Sequence, residues 1–165
     1  MLNVDNLLSI CEIAAALAGF AAIVTILDKG KNLESWARLQ SVLLICILVI
    51  AAALVPVLLI EYQLTSSSVF RFSAIAFLAL IWLTILTVNN IAKKAGGDIW
   101  RNVGGKYSNL VMWTAEVFIQ FPLLFCVFGL FDSYHSAFYL TALILNLFQA
   151  AQFFYMLAIH PRIED

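Results

Sequence analysis

Charge is what this 165-residue chain has least of: only 12% of its residues are Asp, Glu, Lys or Arg, about half the share in an average soluble domain. So few charges cannot cover a water-facing surface, and their scarcity also excludes a disordered chain. Nine basic residues stand against ten acidic ones, a net charge of −1. With no polybasic tail to hold a phosphate backbone, nucleic acid is not an expected partner. Histidine is nearly missing, and His135 and His160 fall at opposite ends of a helical layout, so no His pair shares a metal. Cys11, Cys46 and Cys126 lie in three different apolar stretches without a C-x-x-C, which reads as small packing residues rather than disulfides or thiolate ligands. There is no G-x-S-x-G and no H-E-x-x-H. Gly104, Gly105 and Lys106 lack the spacing of a phosphate loop, since Gly97 is misplaced and Tyr107 follows the lysine. No catalytic residue, metal or cofactor is expected, and the chain is not read as an enzyme.

What the sequence has in abundance is apolar length. Of all residues, 64% are apolar, and a helix rising ~1.5 Å per residue needs ~20 of them in a row to cross a ~30 Å hydrocarbon core. Five stretches qualify, at 7–27, 39–60, 69–91, 110–131 and 138–159. They are apolar all round rather than alternating, which indicates helices and not the strands of a barrel. The remaining tails and loops are too short for a soluble domain, and no repeat or low-complexity linker is visible. The first stretch lacks the basic flank of a signal peptide and is interrupted by Glu12, so it is expected to be a retained helix. The predicted fold is an all-α membrane bundle of five spans in a single domain over 1–165.

Lys and Arg are unevenly shared between the loops. The first loop carries Lys29, Lys31 and Arg38, and the third carries Lys93, Lys94, Arg101 and Lys106, while the N-terminal tail and residues 132–137 carry none. The positive-inside rule then predicts cytoplasmic first and third loops, an outside N-terminus and a cytoplasmic C-terminus. The aromatic belt agrees: Trp36, Trp100, Tyr107, Trp113 and Tyr155 fall at the predicted inner boundary, Tyr62, Tyr134 and Tyr139 at the outer one, and Trp82 mid-membrane. The expected location is a bacterial inner membrane.

Ionisable groups inside spans are the best pointer to function, because a charge at mid-bilayer costs at least ~2.5–3.5 kcal/mol. Glu12 and Arg71 are placed toward the outer side with the boundary residue Glu61, a cluster read either as an interhelical ion pair or as an outer binding vestibule. Glu116 has no basic residue at its depth, about 9 Å in from the cytoplasmic face. Gln120, Leu123 and Val127 share its side of the helix, and Phe118, Phe121, Phe125 and Phe128 occupy the other. On the fifth span Asn146, Gln149 and Gln152 recur every three residues along one flank. Counting from the cytoplasmic ends of both spans predicts the pairs Glu116 with Gln152 and Gln120 with Gln149. Buried amides and carboxyls need partners where water is absent, so this ladder is either glue between helices or the lining of a hydrated path.

Backbone features surround the ladder. Pro122 removes one amide hydrogen and strands the carbonyl of Phe118, and Pro56 does likewise in the second span. On the first span Ala15 and Gly19 form a small-xxx-small seam on the Glu12 face, with a second row through Ala14, Ala18 and Ala22, so this helix is expected to be central in the protomer or at a symmetry axis. Two Gly pairs, Gly96–Gly97 and Gly104–Gly105, bracket a third-loop segment containing Trp100 that is expected at the cytoplasmic interface. The functional expectation is a small, homo-oligomeric channel-like or transport-associated unit, since too few helices are present for an inverted-repeat carrier. The rival is an accessory or scaffolding subunit of a larger membrane complex. Lipid, further copies of the chain and such a complex are the expected partners.

Overall fold

The computed structural model describes residues 4–27, 33–94 and 105–159. They form five α-helices: α1 (Val4–Leu27), α2 (Leu33–Glu61), α3 (Ser66–Lys94), α4 (Gly105–Phe128) and α5 (His135–Ile159), with one turn of 3-10 helix at Asp132–Tyr134. Four contain stretches long and apolar enough to cross a membrane, at Val4–Ile26, Leu39–Glu61, Ser67–Thr87 and Asp132–Met156. The apolar part of α4, Trp113–Phe128, is shorter. Each predicted span therefore lies on its own helix. The Gly-bracketed third-loop segment and the loop lysines Lys29 and Lys31 lie outside the described residues.

The fourth span was expected to run to 131, but the helix stops at Phe128. Gly129 takes φ 68, its amide donates to the Cys126 carbonyl at 3.2 Å, and the Leu130 amide donates to the Phe125 carbonyl at 3.0 Å. That pair of bonds is a Schellman stop, which satisfies the last carbonyls by turning the chain left-handed at a glycine. His135, 1% exposed, staples the turn that follows: its Nε2 lies 3.1 Å from the Leu130 carbonyl and 3.5 Å from the Asp132 carboxylate.

Helices α1 to α4 pack each against the next in chain order, and α5 packs against all four. Within the protomer the central helix is thus α5 and not α1, which leaves of the expectation for α1 only its place at a symmetry axis. Of the small residues of α1, Ala14 and Ala21 are buried, while Ala15 and Gly19 are exposed. The interior is mostly apolar, as in a soluble protein, but the exterior is apolar as well. Trp82, Leu83, Phe118, Phe128 and Phe148 are exposed, while Ser73, His135, Asn146 and Gln149 are buried. An apolar exterior of this kind suits acyl chains and not water.

One buried contact ties three helices together. Pro56 cannot donate to the carbonyl of Ala52, four residues earlier in α2. The Tyr139 hydroxyl from α5 donates to that same carbonyl at 2.6 Å. Tyr139 is fully buried, its ring 6.1 Å from Phe70 and 6.0 Å from Phe77 of α3. Tyr139, grouped above with the outer belt, is turned into the bundle, where its hydroxyl serves the carbonyl that Pro56 strands.

Candidate polar site between the fourth and fifth helices

The turn at 129–134 lays α4 and α5 antiparallel, with Ile119, Leu123 and Cys126 of α4 packed into the core that also holds Ala142 and Leu143 of α5. On this frame Glu116 and Gln120 stand one helical turn apart, both half-buried, and Gln120 Nε2 donates to Glu116 Oε1 at 3.2 Å. The side chain of Gln149 on α5 approaches the same carboxyl across the helix pair. Gln149 and Asn146 are only 6% and 4% exposed. Glu116, Gln120 and Gln149 thus form one cluster spanning both helices.

The pairing differs from the expected one. Among the described residues Glu116 is shared by Gln120 and Gln149, rather than taken by Gln152 with Gln120 left to Gln149. The reason is the origin from which depth is counted. In a hairpin of helices the short turn sets the register, and Glu116 lies twelve residues before Phe128 while Gln149 lies fourteen after His135. Counting from the far ends, whose positions the sequence leaves vague, shifts the partner by one turn.

On the Phe118 flank of the α4–α5 contact lies a groove of about 370 Å³, between Thr114, Ala115 and Phe118 on α4 and Leu145, Phe148, Gln149 and Gln152 on α5; Glu116 and Gln120 stand on the other flank of α4 and do not line it. Its polar lining is Thr114, Gln149 and Gln152, so Gln149 borders the cavity while its amide engages Glu116. The carbonyl that Pro122 deprives of its helical donor belongs to Phe118, another lining residue. Phe118 and Phe148 are exposed at 63% and 71%, so this is a lateral cleft in the flank of the bundle. The exposed phenylalanines of α4 lie off the polar side, as the helical spacing predicts, and Phe125 joins Phe121, Phe131 and Phe138 in an aromatic cluster near the turn.

The second predicted cluster does not assemble within the protomer. Glu12, Glu61 and Arg71 are all exposed, and no ion pair joins them among the described residues. Arg71 instead lays its guanidinium over Gly129, where a Cβ would collide with it. That position suits a cation, because the last carbonyls of α4 give its C-terminus a partial negative charge. Glu12 stands beside the middle of the apolar stretch of α2: the thiol of its neighbour Cys11 meets the Ile50 carbonyl at 3.9 Å.

Sequence reasoning missed two elements. Tyr139 could have been found by asking which donor serves the carbonyl that Pro56 strands, and the glycine after Phe128 is a standard helix-stop signal. No known protein family, curated protein or solved structure matches this chain.

Proposed function

We propose that this chain is an integral membrane protein crossing a bacterial inner membrane five times, N-terminus outside and C-terminus in the cytoplasm, and that copies of it assemble into a channel-like or transport-associated unit. In this reading the α2–α3 and α4–α5 turns face outward. Glu116 is the ion- or proton-handling group, with Gln120 and Gln149 orienting its carboxyl and Gln152 and Thr114 offering water or ligand contacts in the cleft. The observation that carries the reading is the position of Gln149, which engages Glu116 with its amide and borders the lateral cleft. A polar group buried for glue alone needs no cleft beside it. Because the cleft opens sideways, a neighbouring copy is needed to close it into a path.

Reconstitution in liposomes tests this. Protein-containing vesicles are expected to pass protons or monovalent cations faster than protein-free ones, and Glu116→Gln, which keeps shape and hydrogen bonding but removes the titratable group, is expected to change that flux. Flux indistinguishable from empty vesicles over a range of protein-to-lipid ratios refutes the proposal. One observation favours the accessory reading: the Glu116 carboxyl finds its partners within its own hairpin. That alternative requires an unrelated polypeptide to copurify at fixed stoichiometry in mild detergent.

A further inference from the structure

One polar side chain deep in the bundle is left over by the Glu116 cluster. Asn146 of α5 is 4% exposed, and no hydrogen bond joins its amide to any other described residue. A bare amide in a dry interior is costly, and buried polar groups nearly always have a partner. Its direction follows from its neighbours. At about 100° per residue, Leu145, Gln152 and Phe148 lie about 40–100° to one side of Gln149 round α5, and Asn146 lies about 60° to the other. The first three line the lateral groove with Gln149. Asn146 is therefore turned to the opposite flank of the α4–α5 contact, where Glu116 and Gln120 stand. Helix α3, which packs against both α4 and α5, covers that flank. Height agrees as well. With α4 and α5 antiparallel and Gln149 at the level of Glu116, Asn146 falls opposite Ile119, between Glu116 and Gln120.

The donor set selects the ligand. Gln120 Nε2 is spent on the carboxylate at 3.2 Å, and the Gln149 side chain approaches the same group. What the cluster still offers is oxygen: the carboxylate and the side-chain carbonyls of Gln120, Asn146 and Gln149. Oxygen-only sets suit hard cations. The amides carry no charge, so the four residues together bring one negative charge. A monovalent cation makes the set neutral, whereas a divalent one leaves a net positive charge inside the bundle, where an uncompensated charge is expensive. A proton also neutralises the carboxylate, but it engages a single acceptor and leaves Asn146 bare.

We propose that a monovalent alkali cation, sodium or potassium, binds between α4 and α5 on the side covered by α3, held by the Glu116 carboxylate and the side-chain carbonyls of Gln120, Asn146 and Gln149. Water completes its shell and accepts from the Asn146 amino group. The site rests on the reading of Glu116 as an ion-handling group and not on passage across the membrane.

Thermal unfolding of the full chain in detergent, followed by circular dichroism in sodium, potassium, choline or magnesium chloride at equal ionic strength, tests it. Sodium or potassium is expected to raise the midpoint above the choline value in a saturable way, and magnesium is not. Asn146→Leu is expected to weaken the apparent cation affinity at least tenfold and Glu116→Gln to abolish the rise, while Leu83→Ala, on the exposed face of α3, keeps it. Asn146→Asp gives the cluster a second negative charge and is expected to pass the preference to magnesium, a gain that a failure to fold cannot imitate. A midpoint no higher in sodium or potassium than in choline overturns the proposal. So does a rise that persists in Glu116→Gln, an affinity indifferent to Asn146→Leu, or a preference that Asn146→Asp leaves unmoved. Vesicle flux without a cation-dependent midpoint overturns the site and leaves transport standing, and a cation-dependent midpoint without flux supports the site and refutes transport.

Discussion

Replacing Tyr139 by phenylalanine removes one oxygen from the molecule and tests how the bundle tolerates the proline in α2. The ring contacts with Phe70 and Phe77, at 6.1 and 6.0 Å, survive the change. What is lost is the 2.6 Å bond to the Ala52 carbonyl, which has no other helical donor because residue 56 is proline. An unsatisfied buried acceptor costs about 1–3 kcal/mol, and interhelical bonds in membrane proteins average ~0.6 kcal/mol with a maximum near ~1.7. The upper part of the membrane range applies, because the carbonyl has no alternative partner, so Tyr139→Phe is expected to cost about 1–1.5 kcal/mol. In a Pro56→Ala background the amide of residue 56 can donate to Ala52, and the same substitution is expected to cost less than about half as much. A double-mutant cycle measured by denaturing-detergent titration, followed by circular dichroism, gives the coupling directly. An identical cost of Tyr139→Phe in both backgrounds refutes the link between the proline and the tyrosine.

Gly129→Ala is expected to destabilise the fold by about 1–2 kcal/mol, because its φ of 68 lies in the left-handed region, with Gly129→Asn milder; the same titration checks this, and equal costs contradict it. Cysteines at 116 and 149 are expected to crosslink across α4 and α5 more readily than a pair at 116 and 152, as the hairpin register requires; the opposite preference restores the register counted from the far ends. Cys46 and Cys126, both fully buried, are expected to resist a maleimide in the folded protein and to react on denaturation, with the half-buried Cys11 between these limits; rapid labelling of Cys46 contradicts the packing of α2.

The number and order of the helices were legible because apolar length is a one-dimensional signal: each predicted stretch became a helix within a few residues of its expected bounds. Contacts between helices were less legible, since they depend on register, which the links fix and the helix interiors do not. Of the ladder residues, Glu116, Gln120 and Gln149 come together between α4 and α5, with Gln149 and not Gln152 nearest Glu116, because the turn between Phe128 and His135 sets their heights. Grouping Arg71 with Glu12 failed for the same reason, with Glu12 beside the middle of α2 and Arg71 at the α4–α5 turn. The small residues of α1 do not make it the central helix of the protomer. The Ala15–Gly19 seam and the row Ala14, Ala18, Ala22 look alike in sequence, and only the packing distinguishes buried Ala14 from exposed Ala15 and Gly19.

The claim on which the functional account turns is that water reaches the amides beside Glu116. Single cysteines at 145, 149 and 152, exposed to a charged, membrane-impermeant thiol reagent in vesicles, measure this directly against cysteines at 117 and 121 on the apolar face of α4. The account predicts modification of the cleft positions at least about tenfold faster than the apolar-face pair, because only the thiolate in water reacts. Equal, slow modification at all five positions contradicts it and leaves the Glu116 cluster as helix-to-helix glue.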